Sequence, residues 1–154
     1  MSQRLYPLVA CIVFSLLLGG CDSPDGDFAY RDTQGNSGHL SDLKGKWVLI
    51  NYWAVWCKPC IKEIPELNRF AQQHSDSVAL FGVNFDEAEG QTLRDSIAKL
   101  GIQFPVLTDD PSAALGVARP SVLPTTLVIN PQGTLEQTLH GPQTDAGLSK
   151  IIGR

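Results

Sequence analysis

The chain has 154 residues, 43% hydrophobic and 18% charged, a length and apolar content that suit one domain with a real core and exclude disordered, collagen-like and coiled-coil classes. Twelve basic against 16 acidic side chains give a net charge of −4, which argues against a nucleic-acid partner. Four cysteines are too few for a disulfide-dense scaffold, so their positions carry the information.

Residues 1–20 read as a secretory signal peptide. Arg4 is the only charge there, and Leu8 to Leu18 is an 11-residue apolar run interrupted only by Ser15. Such a run is well short of the roughly 20 residues of a membrane-spanning helix; the competing reading is a short uncleaved anchor. Leu18-Gly19-Gly20-Cys21 resembles a bacterial lipobox, which implies cleavage before Cys21 and lipidation of its thiol. Asp22 is similar to the inner-membrane retention signal of Gram-negative lipoproteins, implying the periplasmic side of the inner membrane. Residues 21–26 then form a polar tether, and residues 27–154 form the folded domain.

Within that domain, Phe28 to Tyr30 and His39-Leu40 suit a small hairpin around the Gln34-Gly35-Asn36 turn. Trp47 to Trp53 is a compact β-prone run. Helical spacing follows over Lys58 to His74, with Ile61, Ile64, Leu67 and Phe70 expected on one buried face and Pro65 expected to kink it. Val78 to Phe85 predicts a strand. Gln91 to Leu100 predicts an amphipathic helix ended by Gly101, with Leu93, Ile97 and Leu100 on one side. A brief extension over Phe104 to Leu107 and a short helix over Ser112 to Val117 come next. Thr125 to Ile129 and Thr134 to His140 form an antiparallel hairpin across Pro131-Gln132-Gly133, and Asp145 to Ile152 predicts a closing helix. This β-α-β-α-β-β-α order predicts a three-layer α/β sandwich with a mixed central sheet flanked by helices.

Cys11 falls in the apolar leader and Cys21 at the lipobox, which leaves Cys57 and Cys60, spaced C-x-x-C. The candidate readings are half of a zinc site, two inert core thiols, or a redox pair. Zinc needs further ligands, and His39, His74 and His140 are far apart in sequence; the redox pair is the reading adopted, with no metal expected. The pair sits where a strand hands over to a helix, whose N-terminus carries free N–H groups and partial positive charge that stabilise a thiolate. Cys57, the outer residue, is therefore the expected nucleophile. Cys60, one turn on, is the expected resolving thiol. Pro59 is tolerated in a first turn. Lys58 adds positive charge nearby, or is only a solvated side chain.

The segment Asn51-Tyr52-Trp53-Ala54-Val55-Trp56-Cys57-Lys58-Pro59-Cys60-Ile61-Lys62-Glu63-Ile64-Pro65-Glu66-Leu67 resembles the active-site segment of the TlpA/ResA-like branch of thioredoxin-fold disulfide reductases. Leu123-Pro124-Thr125-Thr126-Leu127-Val128-Ile129-Asn130 is similar to that family's second signature. Ser41-Asp42-Leu43-Lys44-Gly45-Lys46 and Gly141-Pro142-Gln143-Thr144 match further landmarks, so the resemblance covers about residues 26–154. It implies a thioredoxin-like fold with a small N-terminal β extension, and a cis Pro124 that faces the cysteine pair and docks substrate.

The family also implies that Glu63, one helical turn beyond Cys60, belongs to the active-site cavity, tuning the thiols and shuttling protons; the plainer reading is a surface Glu early in a helix. Trp56 either packs over the site or is a core tryptophan. Asn51 stands where ordinary thioredoxins carry a buried Asp, which removes one possible general base. The connection Val117 to Leu123 is a few residues longer than is usual in relatives, and borders the docking groove or is a surface insertion.

The function expected is that of a membrane-anchored, extracytoplasmic protein-disulfide reductase. Cys57 and Cys60 supply the chemistry without a separate cofactor. The resemblance implies a membrane thiol donor of the DsbD/CcdA kind and protein thiol clients such as apocytochrome c, a copper-site assembly protein or another secreted protein. The alternatives are oxidase or isomerase action by the same pair, a copper-binding or metallochaperone module, and a thiol peroxidase.

Overall fold

A computed structural model describes residues 27–153; the expected signal peptide, Cys21 and the tether lie outside them. The run from Trp47 to Trp53 forms strand β3 (Trp47–Trp53), buried from Val48 onward, as suits a strand covered on both faces. It pairs in parallel with β4 (Val78–Asn84) and antiparallel with β5 (Thr125–Ile129), which continues antiparallel into β6 (Leu135–His140). The order β4-β3-β5-β6 is the mixed sheet the sequence predicts. The N-terminal hairpin pairs β1 (Ala29–Arg31) with β2 (Ser37–His39), a small shift from the expected arms, and leads into a 3₁₀ turn over Leu40–Leu43.

Alternation along β3 divides the core in two. Leu49 and Trp53 join Ile64, Leu67 and Phe70 of α1 (Lys58–Gln73), Leu93 of α2 (Gly90–Leu100) and Leu148 of α3 (Asp145–Ile152). Val48, Ile50 and Tyr52 turn the other way, onto Phe28, Leu40, Phe81 and Leu127. That second face is closed by the hairpin, the 3₁₀ turn, Leu115 and Val117, so among the described residues its covering layer holds no α-helix. Ile64, Leu67 and Phe70 are at most 1% exposed; burial at that level stabilises by about 1.5–3 kcal/mol per side chain.

Two local expectations, the facing of Ile61 and the helix over 112–117, are corrected. Ile61 faces solvent, 42% exposed, and the buried stripe of α1 is Cys60, Glu63, Ile64, Leu67 and Phe70. The helix continues through Pro65 as one element. The carbonyl that Pro65 deprives of a partner belongs to Ile61, on the exposed side, where water can serve it. Residues 112–117 form a hydrogen-bonded turn, Leu115 N–H donating to the Pro111 carbonyl and Val117 N–H to that of Ser112, with no helix. The brief extension expected over Phe104 to Leu107 is present as two isolated bridges, Val106 with Gly82 and Leu107 with Asp32. The α2 terminus matches expectation: Gly101 adopts the left-handed conformation, φ 65°, that ends the helix.

Candidate active site

β3 delivers the chain to one end of the sheet and Ala54–Trp56 turn it into α1, placing Cys57 at the helix N-cap. Cys57 and Cys60 are joined by a disulfide. The Cys57 sulfur accepts the Cys60 backbone N–H at 3.2 Å, one of the donors that a helix start leaves unpaired. A negative charge on that sulfur would meet the same donor and the positive end of the helix. Access is unequal: Cys57 is 4% exposed and Cys60 0%. Both residues are buried, and the small exposure that remains belongs to Cys57, the residue expected to be the nucleophile.

Lys58 and Pro59 occupy the first turn at the surface. Trp56 is also outside, 59% exposed, so the core reading of this residue is overturned. Its indole N–H donates to the Asp86 carboxylate at 3.0 Å, and its ring meets Phe85 edge to face at 6.1 Å. A residue on the short turn between strand and helix has no sheet to cover it. Pro124 is buried and follows a cis Leu123–Pro124 bond. Leu123 packs on the cluster that contains both cysteines, and Thr125 lies opposite Tyr52 in the β3–β5 ladder. The second signature thus stands at the same end of the sheet as the first.

Glu63 is 2% exposed, so the surface reading is excluded. Its Oε1 accepts from Asn51 Nδ2 at 2.8 Å and its Oε2 from the Gln143 backbone N–H at 2.8 Å. Burial raises the carboxyl from 4.5 to about 7, with those two hydrogen bonds pulling the other way. Asn51 uses its second amide hydrogen on Thr126 Oγ1 at 3.0 Å, while its own Oδ1 is buried without a partner. Asn51 therefore fills the site of the missing Asp with a donor that holds a carboxylate coming from α1. Gln143 and Thr126 fall inside the quoted family segments but were not singled out as site residues, because neither a backbone N–H nor a threonine hydroxyl in a β run announces its partner in the sequence.

A Cys57–Cys60 disulfide at a helix N-terminus, with a cis Pro124 at the same end of this mixed sheet, defines the site of a thioredoxin-fold thiol-disulfide oxidoreductase. The chain belongs to the AhpC/TSA family, whose model matches residues 22–138. It is 37% identical over 128 residues to the thiol-disulfide oxidoreductase ResA of Bacillus subtilis (strain 168), covering 82% of this chain and 70% of that one. The ResA of Bacillus thuringiensis (strain Al Hakam) is 32% identical over 134 residues, 86% of this chain and 76% of the relative. Among solved structures, StoA from Bacillus subtilis superposes with a TM-score of 0.67 at 30% identity, covering 83% of this chain and 96% of StoA. The exposed lipoprotein thioredoxin Etrx1 of Streptococcus pneumoniae gives 0.71 at 25% identity, covering 82% and 98%.

Proposed function

We propose that this oxidoreductase works as a reductase of protein disulfides outside the cytoplasm, held to the membrane by lipid on Cys21. The observation that carries the direction of attack is that Cys57 keeps a little exposed surface and Cys60 none. In the reduced enzyme the Cys57 thiolate attacks a substrate disulfide, forming a mixed disulfide and releasing one substrate thiolate, which takes a proton. Cys60 then loses its proton, for which Glu63 is the neighbouring acceptor, and attacks the Cys57 sulfur. The second substrate thiol leaves, and the electron pair of Cys57 and Cys60 has passed to the substrate. The enzyme is left with the Cys57–Cys60 bond.

Resetting it in an oxidising compartment needs a thiol donor, for which a membrane transporter of the DsbD/CcdA kind is the proposed partner. Clients of the apocytochrome c or copper-site type fit the same chemistry. The lipobox at Cys21 supports the anchor, as does the likeness to a pneumococcal protein described as an exposed lipoprotein.

Two measurements test the reading. The Cys60→Ser variant should accumulate a mixed disulfide on Cys57 with a secreted protein thiol. Failure to trap any partner, with no phenotype in Cys57→Ser cells, would contradict it. Redox equilibration should place the pair nearer thioredoxin's roughly −270 mV than the roughly −120 mV of a strong oxidant; a value at the oxidising end reverses the proposed direction.

A further inference from the structure

Arg119 lies in the connection between the 112–117 turn and Pro124, and its guanidinium ties it to two other segments, 85–87 and Asp110. Nε donates to Asp110 Oδ2 at 2.8 Å and Nη2 to the Phe85 carbonyl at 2.6 Å, with Glu87 Oε1 3.2 Å from Nη2. The guanidinium also lies over the Phe85 ring, 4.7 Å from its centre. Asp110 is fixed in turn by the Tyr52 hydroxyl at 2.7 Å and the Ser112 N–H at 2.9 Å. Glu87 holds a left-handed backbone, φ 55°, uncommon for a residue with a side chain. Phe85 and Asp86 are the two residues that hold the Trp56 indole beside Cys57.

The other end of the connection is tied separately, Thr125 Oγ1 donating to the Val122 carbonyl at 2.9 Å. Between the two ties Ser121 and Val122 are exposed, Val122 by 51%. We infer that Arg119 is a positioning residue for polypeptide docking: by bridging Asp110, Phe85 and Glu87 it fixes the 119–123 segment and the support of Trp56 as two walls beside Cys57. The inference rests on the reading that Cys57 exchanges with polypeptide disulfides. Its reach is selective. A small disulfide touches only the sulfur, whereas a polypeptide must lie along both walls. Lysine cannot replace the arginine, since a point charge offers neither the planar fork nor the stacked face.

Arg119→Ala and Arg119→Lys should each raise KM for a polypeptide disulfide such as oxidised ribonuclease by about tenfold, as expected for losing charge-assisted contacts. The limiting rate kcat, the alkylation rate of reduced Cys57 and turnover of a small aromatic disulfide should stay within about twofold, the mark of lost binding without lost chemistry. Amide exchange should speed up across 118–123 and leave β3 and β5 unchanged. Equal loss on both substrates, an unchanged KM, or full rescue by lysine would overturn the inference. Unchanged amide exchange in Arg119→Ala overturns it without reference to activity. A wild-type protein that exchanges with the small disulfide but with no polypeptide strikes instead at the reading beneath.

Discussion

Glu63 is expelled from water by α1 and yet holds two hydrogen bonds suited to its charged form. Its carboxyl sits at about 7 in the fold against 4.5 ordinarily. Between those values the unfolded chain is ionised at this group while the native chain keeps its proton, so stability falls as pH rises from about 4.5 to 7 and is flat above. The loss approaches about 3 kcal/mol at 1.36 kcal/mol per unit. Asp110 runs the other way: burial pushes it up, but the Ser112 N–H, the Tyr52 hydroxyl and Arg119 together hold it below its usual value. The Glu63 effect is therefore read as a difference between proteins. Glu63→Gln should flatten the fall between about pH 4.5 and 7 in urea titrations, and the Nε2 of the new side chain gives the unpartnered Asn51 Oδ1 a donor once that amide turns over. Parallel pH profiles for variant and wild type would contradict the assignment.

Gly82 shows what an element requires of a single position. It lies beside Asn51 in the β3–β4 ladder, and an added Cβ would stand 2.8 Å from Trp53 Nε1, 3.1 Å from Phe104 and 3.2 Å from Val106. Two of these neighbours are rings buried in the core, with little room to retreat. Gly82→Ala should therefore cost about 1–3 kcal/mol, as overpacking does, with the chevron or melting curve as the check; a neutral result would mean the Trp53 indole yields freely.

The elements themselves were readable where a period was sustained. β3, β4, β5 and α2 lie within a residue of their expected bounds because unbroken apolar runs and a Gly stop are local signals. Ile61 misled because an isoleucine at helical spacing reads as core, whereas the seam of α1 is set by Cys60 and Glu63, a thiol and a carboxyl. The turn over 112–117 has helical composition but only one turn's length, too little to sustain itself. At the candidate site, the pairing of Cys57 with Cys60 and the placement of Pro124 were legible from their motifs, and the burial of Glu63 chose between two readings the sequence had left open. Arg119 was not legible, since its three partners come from segments that meet only in the fold.

At the scale of the whole molecule, the two ends of the sheet carry different tasks. Asp27, the first described residue, accepts from the Ser41 N–H at 2.8 Å and shares a cleft with Gln132 to Leu135 at the β5–β6 turn. β5 begins at Pro124's neighbour and ends at that turn, so the chain enters at the end of the sheet away from the cysteines. With lipid on Cys21 as proposed, six tether residues reach about 20 Å, and the reactive end would point off the bilayer into the aqueous space. Cys21→Ser should move the protein from membrane to soluble fractions while its thiol-exchange rate on a soluble disulfide stays unchanged. A wild-type protein that fractionates as soluble would remove the anchor from the reading.

The lopsided burial of the disulfide also sets a traffic rule. If the proposed donor and client both act by thiol exchange, each must come to Cys57, because Cys60 has no exposed surface. On that reading the two mixed disulfides exclude each other. Each visitor must depart before the next arrives, and an excess of either one obstructs the other at a single turnstile.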